Sequence, residues 1–379
     1  MENKYVVGID IGGQGSTIGI VDKRGEVILC RGGQGFLAPW DHREQQVYVD
    51  ALCKALEEMF ADEKIGGKEN IAGIGIGAPS SSYLTGKIEK APNLPPEWDN
   101  FEITKMVSKK INLDNVFLDN DANAAMLGEW AYGGAKDTNH CIMITLGTGL
   151  GSGIVAEGRL IRGKHGLGGE LGHTRAYHCG DRICGCGRID CLERYASATG
   201  MAFTAVQFVK QKQTGILYEK YKERIAEIRA ELLDKNIKLN SEKDEEEIKN
   251  LKAQITELER KYELPISSKD VCDAAEKNDP LALEIFAFTG KILGESLANF
   301  VAFSDPNKIF LFGGLAKSGK YILEPTRKAM EVNLLKNYKG YDDEGNKKVD
   351  VYLSELNNNA DAAILGASAL VWEKIKSGN

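Results

Sequence analysis

Three cysteines lie close together near the middle of the chain, in the stretch "CGCGRIDC". They are Cys184, Cys186 and Cys191, and His173 precedes them in "GGELGH". Three thiolates and one imidazole form a common ligand set for tetrahedral zinc. The spacing therefore predicts a structural zinc site made by His173, Cys184, Cys186 and Cys191.

Spacing alone leaves two other candidates for the fourth ligand, since His178 and Cys179 are also near. A redox site is not indicated, because no C-x-x-C pair stands beside a thioredoxin-like pattern. The zinc loop would hold two neighbouring carboxylates, Glu170 and Glu193, rigidly in place. We expect the metal to position polar groups without itself doing chemistry.

A second polar group stands in "LDNDANAA". Asn120 and Asp121 come at the end of a predicted strand, just before a predicted helix. Ligands bind at the carboxyl ends of strands in open α/β sheets. Asp121 could instead be only a helix cap. The additional Asn123 favours a site, because capping does not call for three polar residues.

Glycine-rich turns follow three predicted strands, in "DIGG", "LGTGLGSG" and "FGGLAKSG". Backbone amides of such turns bind phosphates, and a carboxylate such as Asp10 can hold a magnesium–phosphate group through water. None of the turns has the lysine of a P-loop or the pattern of a dinucleotide fold. Together they predict a cleft that binds phosphates.

The strands and helices that must position these residues are predicted to form an α/β protein. The chain has 379 residues, which suggests two or three domains. The order strand, glycine turn, strand, turn, strand occurs near the start and again in "CIMITLGTGLGSGIVAEGRLI", which predicts two halves of related architecture. Apolar spacing predicts helices over 49–60 and 103–111.

A charged segment over about 216–263 carries heptad-like apolar positions and predicts an antiparallel helical hairpin inserted in the body of the protein. A break at "KNIKLN", followed by a capping box at Ser241, would separate its two helices. A solvated surface insertion is favoured over a dimerisation arm.

Composition and charge exclude several classes of protein. The net charge of −7 argues against a nucleic-acid partner, and no apolar run has the length of a membrane span. No signal peptide opens the sequence, so we expect a cytoplasmic enzyme with reduced thiols and no disulfide framework.

The motif "ELGH", followed after ten residues by "CGCGRIDCLE", resembles that of the ROK family of bacterial sugar kinases and sugar-responsive repressors. "GIDIGG", "APNLP", "DNDANAA", "LGTGLGSG", "FLFGGLAKSG" and "DAAILGASAL" also fall where that family places them. The resemblance implies two RNase H-like lobes of the actin/hexokinase type around a central cleft. The N-terminal lobe would span 1–118, with helix 360–379 returning to it. The C-terminal lobe would span 119–359, with the zinc knuckle at 173–193.

The resemblance also implies an ATP-dependent hexokinase that uses magnesium, with glucose at its 6-hydroxyl as the leading substrate. Asp121 would be the general base. The implied sugar-binding residues are Asn120, Glu170, His173 and Glu193. The implied contacts to ATP and magnesium are Asp10, Gly12 and Gly13, then Gly147, Thr148 and Gly149 at the phosphates, and Gly313 and Gly314 near the adenosine.

Other members of the family phosphorylate N-acetylmannosamine, N-acetylglucosamine, fructose or mannose, and these substrates stay open. A sugar-sensing repressor is disfavoured, since only about four residues precede the strand that contains "GIDIG" and no helix-turn-helix module is visible. A non-catalytic sugar-binding protein is a further alternative. A homodimer or higher homo-oligomer is expected.

The sequence departs from the family pattern in three places. Gln14 stands where threonine is usual, which concerns the first phosphate loop. Asp190 replaces a glycine before Cys191, so that we expect a left-handed backbone there, which Asp tolerates. The loop Gly77–Ser82, "GAPSSS", replaces a Pro-Gly-Pro type of loop and concerns the choice of sugar.

Overall fold

The computed structural model describes residues 4–91, 93–177, 180–358 and 361–377. The strands in chain order are β1 (Tyr5–Gly12), β2 (Gly15–Asp22), β3 (Val27–Gly32), β4 (Ile71–Ala78), β5 (Ser81–Ser82), β6 (Lys87–Ile88), β7 (Val116–Asn120), β8 (Cys141–Leu146), β9 (Leu150–Ala156), β10 (Arg159–Leu160), β11 (Lys308–Phe312) and β12 (Asp350–Leu353). The α-helices are α1 (Gln45–Phe60), α2 (Ile103–Ile111), α3 (Asp121–Tyr132), α4 (Glu193–Ala196), α5 (Ala198–Lys212), α6 (Ile216–Ser241), α7 (Glu245–Glu263), α8 (Ser268–Glu276), α9 (Pro280–Ser304), α10 (Lys320–Asn333) and α11 (Ala362–Ser377).

The first sheet has the order β3-β2-β1-β4-β7. The strand β2 is antiparallel to its two neighbours, β1 and β3, whereas β1, β4 and β7 are parallel. The register places Asp10 beside Gly77, and Gly77 beside Asp119. The carboxyl ends of these parallel strands therefore bring Asp10 and the "DND" segment to one edge of the sheet.

The second sheet repeats this layout with the order β10-β9-β8-β11-β12. The strands β8 and β9 form an antiparallel hairpin, and β8, β11 and β12 are parallel. The prediction of two halves of related architecture is confirmed, as is the mixed α/β class. The predicted helix over 103–111 is observed as α2, while the helix predicted from 49 begins four residues earlier, as α1.

Two helices, α3 and α11, pack between the two sheets. The helix α3 contacts β8 and β9, and α11 contacts α3, β1 and β4. The helix α11 approaches the first sheet very closely, because a Cβ at Gly8 or Gly75 would collide with a carbonyl oxygen of α11. The helix α11 therefore packs directly on strands β1 and β4 of the first sheet.

The predicted hairpin over 216–263 forms from α6 and α7, which pack against each other through buried residues such as Ile225 and Ile255. Two details of the prediction were wrong. The segment "KNIKLN" continues α6 to Ser241 without a break, since it contains neither Gly nor Pro to interrupt the helix. The cap of α7 is Asp244, whose side chain accepts hydrogen bonds from the backbone N–H groups of Glu246 and Glu247.

Among the residues that the structure describes, no helix combines the length and the apolar character needed to cross a membrane.

Candidate active site

A cleft opens between the carboxyl ends of the parallel strands of the two sheets. A cavity of about 530 Å³ occupies it and is lined from both sides, by Asp10 and Asp121 on one and by Thr148 and Gly313 on the other. A second cavity of about 610 Å³ adjoins it, and the two share Asn120, Ser152, Glu170 and His173 as lining residues. Together they form a groove with one part lined by the glycine turns and a second, polar part.

Asn120 and Asp121 form the junction between β7 and α3. Oδ1 of Asn120 caps the helix by accepting a hydrogen bond of 2.9 Å from the backbone N–H of Ala122. Asp121 is thus the first residue of the helix rather than its cap. Its side chain opens into the cleft, and the surrounding protein removes enough water to raise the pKa of the carboxyl.

Asp10 lies near the end of β1 and faces the same cleft. Burial raises the pKa of its carboxyl to about 6, and the charge of Asp121 acts in the same direction. Two carboxylates that share a site repel each other, and a cation between them relieves the repulsion. Asp10 therefore has the position and the charge to receive a magnesium–phosphate group.

The two glycine turns after β1 and β8 line the cleft with backbone. Gly12 and Gly13 belong to the first turn, and a Cβ at Gly13 would lie 2.7 Å from the carbonyl oxygen of Asn93. The second turn closes with a hydrogen bond of 3.1 Å from the N–H of Gly147 to the carbonyl oxygen of Gly149, and Thr148 is exposed at its tip. Gly12, Gly13, Gly147 and Gly149 thus present only backbone to the cavity.

The two glycines of the third turn differ in their relation to the cleft. Gly313 lines the cleft with φ of +100°, a conformation that favours glycine, and its N–H donates a hydrogen bond of 2.8 Å to Oδ1 of Asn357. Gly314 is the N-cap residue of a short 3₁₀ helix that begins at Leu315, and it is not among the residues that line either cavity. The predicted adenosine-side pair is thus represented in the cleft by Gly313.

The predicted zinc ligands come together. The ligand atoms of His173, Cys184, Cys186 and Cys191 all lie within 4.8 Å of one another. Nδ1 of His173 is 3.7 Å from Sγ of Cys184, and the Sγ atoms of Cys186 and Cys191 are 3.6 Å apart. Tetrahedral zinc with sulfur ligands separates them by about 3.8 Å, so this donor set fits zinc. His178 and Cys179, the alternative ligands, lie outside the described residues.

The Cys/His cluster directly contacts one of the two carboxylates beside it, that of Glu193. Oε1 of Glu193 is 3.5 Å from Sγ of Cys184, and Oε2 accepts a hydrogen bond of 3.0 Å from the N–H of Leu150. Glu170 is held through its neighbours, because Ser152 bonds the carbonyl oxygen of Gly169 and the N–H of Leu171. Burial, with the charges of Asp121 and Glu193 adding to it, raises the pKa of Glu170.

The three departures from the family pattern have clear places in the structure. Asp190 has φ of +61°, the left-handed conformation that was expected, and its buried carboxylate accepts hydrogen bonds from Tyr195 and from the N–H of Arg182. Gln14 is exposed and lies outside the lining of both cavities. The loop Gly77–Ser82 contributes its three serines to the polar cavity.

Several lining residues were not predicted from the sequence. Thr145 and Ser152 lie on β8 and β9, Phe312 ends β11, and Ala363 is near the start of α11. Their positions follow from the tertiary arrangement, and a single strand or helix pattern carries no signal for them. Asn123 was noted only as part of the polar "DNDAN" segment, and it lines the polar cavity.

Comparisons with known proteins agree with this geometry. The ROK family profile matches residues 6–374. The chain is 29% identical over 343 residues to a glucokinase of Halalkalibacterium halodurans, with 88% of each chain covered. It is 24% identical to the DNA-binding transcriptional dual regulator NagC of Escherichia coli, over 99% of this chain and 77% of the regulator.

Among solved structures, a ROK family glucokinase from Streptomyces griseus, in complex with glucose and AMPPNP, is similar with a TM-score of 0.66 and 27% identity. The similarity covers 97% of this chain and 99% of that one. The match over nearly the whole length and the two-sheet architecture lead to one conclusion: the chain belongs to the ROK family.

Proposed function

We propose that this chain is an ATP-dependent hexokinase that transfers the γ-phosphoryl group to a hexose, with the 6-hydroxyl of glucose as the leading acceptor. The observation that carries the proposal is the convergence of Asp10 and Asp121 with the glycine turns in one cleft, beside Glu170, His173 and Glu193. Phosphoryl transfer needs positioning and neutralisation of charge, and the cleft offers residues for both.

In this proposal Asp121 is the general base. Asp121 lines the cavity of the glycine turns and follows Asn120, which lines both cavities, so its carboxylate would accept the proton of a sugar hydroxyl bound there. The raised pKa of Asp121 supports this role, because a stronger base takes up the proton more readily.

Asn120, Glu170, His173 and Glu193 would bind the other sugar hydroxyls. A carboxylate accepts hydrogen bonds from hydroxyls, an amide can both donate and accept, and an imidazole bound to zinc through one nitrogen can donate through the N–H of the other. The zinc ion would be structural, held by His173, Cys184, Cys186 and Cys191, and its function would be to fix the orientation of Glu193 and His173.

Asp10, Gly12 and Gly13 would face the β- and γ-phosphates, and Gly147, Thr148 and Gly149 would contact them from the other sheet. Mg²⁺ bound with ATP would supply neutralisation of the phosphate charge, next to Asp10. Gly313 and Gly314 would lie towards the adenosine. Two lobes, 1–118 with α11 and 119–359, would close over the sugar and exclude water as a competing nucleophile.

The experiment that tests the proposal is a coupled assay of ADP release with magnesium–ATP. The sugar panel contains glucose, mannose, fructose, N-acetylglucosamine and N-acetylmannosamine, and inorganic polyphosphate replaces ATP in a parallel series. Turnover of one sugar well above the rest would identify the substrate. Absence of turnover in folded, zinc-containing protein would overturn the proposal.

A non-catalytic sugar sensor is the second candidate, favoured by the similarity to the regulator NagC. Calorimetric titration of the same sugars separates the two. A sensor binds sugar in the absence of ATP and releases no ADP when ATP is added. A kinase binds the sugar and also releases ADP. The same samples, analysed by light scattering, test the proposed homodimer or higher oligomer.

A further inference from the structure

The guanidinium of Arg162 connects four separate parts of the fold. Arg162 follows β10 of the second sheet, and its side chain is only 12% exposed. Its Nε donates a hydrogen bond of 2.7 Å to Oδ2 of Asp119, at the end of β7. Its two terminal nitrogens donate to both carboxylate oxygens of Glu373 on α11, at 3.0 and 2.7 Å.

The flat face of the guanidinium completes the contact. Its central carbon lies 3.9 Å from the centre of the Tyr83 ring, in the segment after β5. Buried, bidentate and stacked arginine contacts are directional, and lysine cannot reproduce them. The arrangement thus holds one edge of the second sheet against three elements associated with the first sheet.

Asp119 carries this contact to the active site. Its other oxygen, Oδ1, accepts two hydrogen bonds of 2.8 Å, from the backbone N–H of Asn120 and from the side-chain amide of Asn123. The residue after Asn120 is Asp121. The orientation of the proposed base therefore depends on a carboxylate that Arg162 holds from the opposite sheet.

Arg162 also connects to the loop beside the polar cavity. Its carbonyl oxygen accepts a hydrogen bond of 2.8 Å from the N–H of Gly168. The loop between them contains Lys164 and His165, which line the polar cavity with Gly168. One residue thus contacts both the segment that carries the base and the loop that borders the sugar region.

We propose that Arg162 is a positioning residue for phosphoryl transfer, acting through Asp119 to set the alignment of Asn120 and Asp121 against the second sheet. This inference rests on the proposed function of the cleft. It predicts an effect mainly on kcat, because a small misplacement of a catalytic group costs rate even when binding is kept, by up to about 100-fold for a shift near 1 Å.

The test compares R162M, R162K and E373Q with the wild-type enzyme, and uses R31M as the matched control. Arg31 forms an exposed pair with Glu58 on the surface, away from the cleft. We expect kcat of R162M to fall by about 10- to 100-fold, with the KM for ATP little changed. R162K should recover part of this rate, because lysine can still pair with Asp119, and E373Q should have a smaller effect.

A purely structural arginine would give a different pattern. R162M would then unfold more readily, yet its folded, zinc-containing fraction would keep the wild-type kcat, and this result would overturn the proposal. A kcat of R162K no higher than that of R162M, together with equal losses in R31M, would also count against it.

A second readout does not need turnover. In R162M the backbone amide of Asn120 should exchange with deuterium faster than in the wild type and in R31M, while amides of β8 keep their rates. If the wild type phosphorylates no sugar, the proposed function fails, and this exchange result still decides whether Arg162 orders the segment that carries Asp121. Unchanged exchange at Asn120 would refute the positioning role.

Discussion

The backbone N–H of Leu150 donates a hydrogen bond of 3.0 Å to Oε2 of Glu193. Leu150 begins β9 directly after the second glycine turn, whereas Glu193 begins α4 directly beyond the cysteine cluster. This bond joins the loop proposed to contact the phosphates to a carboxylate proposed to contact the sugar. The two parts of the site are therefore expected to respond together to a change at either end.

Gly149 tests this connection. A Cβ at this position would collide with Oε2 of Glu193, so the variant Gly149→Ala must displace the carboxylate. We expect the KM for the sugar to rise by about 10-fold or more, as for loss of one charged hydrogen bond. Steady-state kinetics measure it, with Gly180→Ala as the control, because no atom lies within 4 Å of a Cβ there. Equal KM values in the two variants would contradict the expectation.

Removal of the proposed base should separate catalysis from binding. Asp121→Asn keeps the size of the side chain and loses its ability to accept the proton, so kcat should fall by about 10²- to 10⁴-fold. Sugar affinity, measured by calorimetry, should stay within a few-fold of the wild type. The control is Asp137→Asn, an exposed carboxylate paired with Lys308. Substantial turnover in Asp121→Asn would exclude Asp121 as the base.

The metal site can be tested by content and by stability. Cys186 is the exposed cysteine of the cluster, and Cys186→Ser should lose the bound zinc, lower the free energy of unfolding and weaken sugar binding. Elemental analysis and urea unfolding measure the first two effects. Cys30→Ser, at an exposed cysteine outside the cluster, should change neither. Wild-type protein that contains no zinc when purified without chelators would remove the basis of this prediction.

The pKa of Asp10 predicts an unusual dependence of stability on pH. Because the pKa is about 6 in the folded chain and 3.8 in the reference state, the folded state binds more protons between these values. The free energy of unfolding should therefore decrease as pH rises through this range.

Asp10→Asn removes the carboxyl whose ionisation in the folded chain lowers the free energy of unfolding. In metal-free protein the variant should be more stable than the wild type near neutral pH, by about 1–3 kcal/mol, and the difference should shrink towards pH 4. Urea unfolding at several pH values measures it. Asp50→Asn is the control of opposite sign, because Lys110 holds the pKa of Asp50 below its usual value. A less stable Asp10→Asn at neutral pH would contradict the prediction.

Asp270, at the base of the helical hairpin, should give the free energy of unfolding the pH dependence that is usual for a carboxylate. Burial alone would raise the pKa of Asp270, but hydrogen bonds from Lys220, Ser267 and Arg224 outweigh it and lower the pKa to about 2. Its contribution is thus present above the usual pKa and is lost as pH falls towards 2.

Asp270→Asn should cost about 2–3 kcal/mol of unfolding free energy at neutral pH, and little near pH 2. Urea unfolding again provides the measurement. Glu284→Gln, in an exposed pair with Lys212, should change stability by less than about 1 kcal/mol. If Asp270→Asn and Glu284→Gln lower the free energy of unfolding by the same small amount, the stabilising contribution predicted for Asp270 is wrong.

Local patterns in the sequence are sufficient to predict much of the fold. The strand–glycine–strand repeats predict both sheets, because alternating burial and glycine turns are local properties. The spacing of Cys184, Cys186 and Cys191 likewise predicts a cluster, since a short loop keeps its residues near one another. The left-handed backbone at Asp190 follows from its place in a turn that commonly contains glycine.

Other features depend on contacts between distant segments, and no local pattern contains them. Arg162 donates hydrogen bonds to Glu373, which is 211 residues further along the chain. The sequence around Arg162 has the pattern of an ordinary loop. The predicted start of α7 was wrong because α6 extends to Ser241, and the side chain of Asp244 caps α7 instead. Gly314 shares a motif with Gly313 and is the N-cap residue of a 3₁₀ helix, and of the two only Gly313 lines the cavity of the glycine turns.

The close approach of α11 to Gly8 and Gly75 also has a consequence for synthesis on the ribosome. The strands of the first sheet are complete at Asn120, but the helix that covers one face of this sheet begins only at Ala362. At a translation rate of about 5–20 residues per second, the wait is on the order of tens of seconds. During that time the first sheet exposes apolar surface on that face, so this half of the protein must reach its final form after the second half has been made.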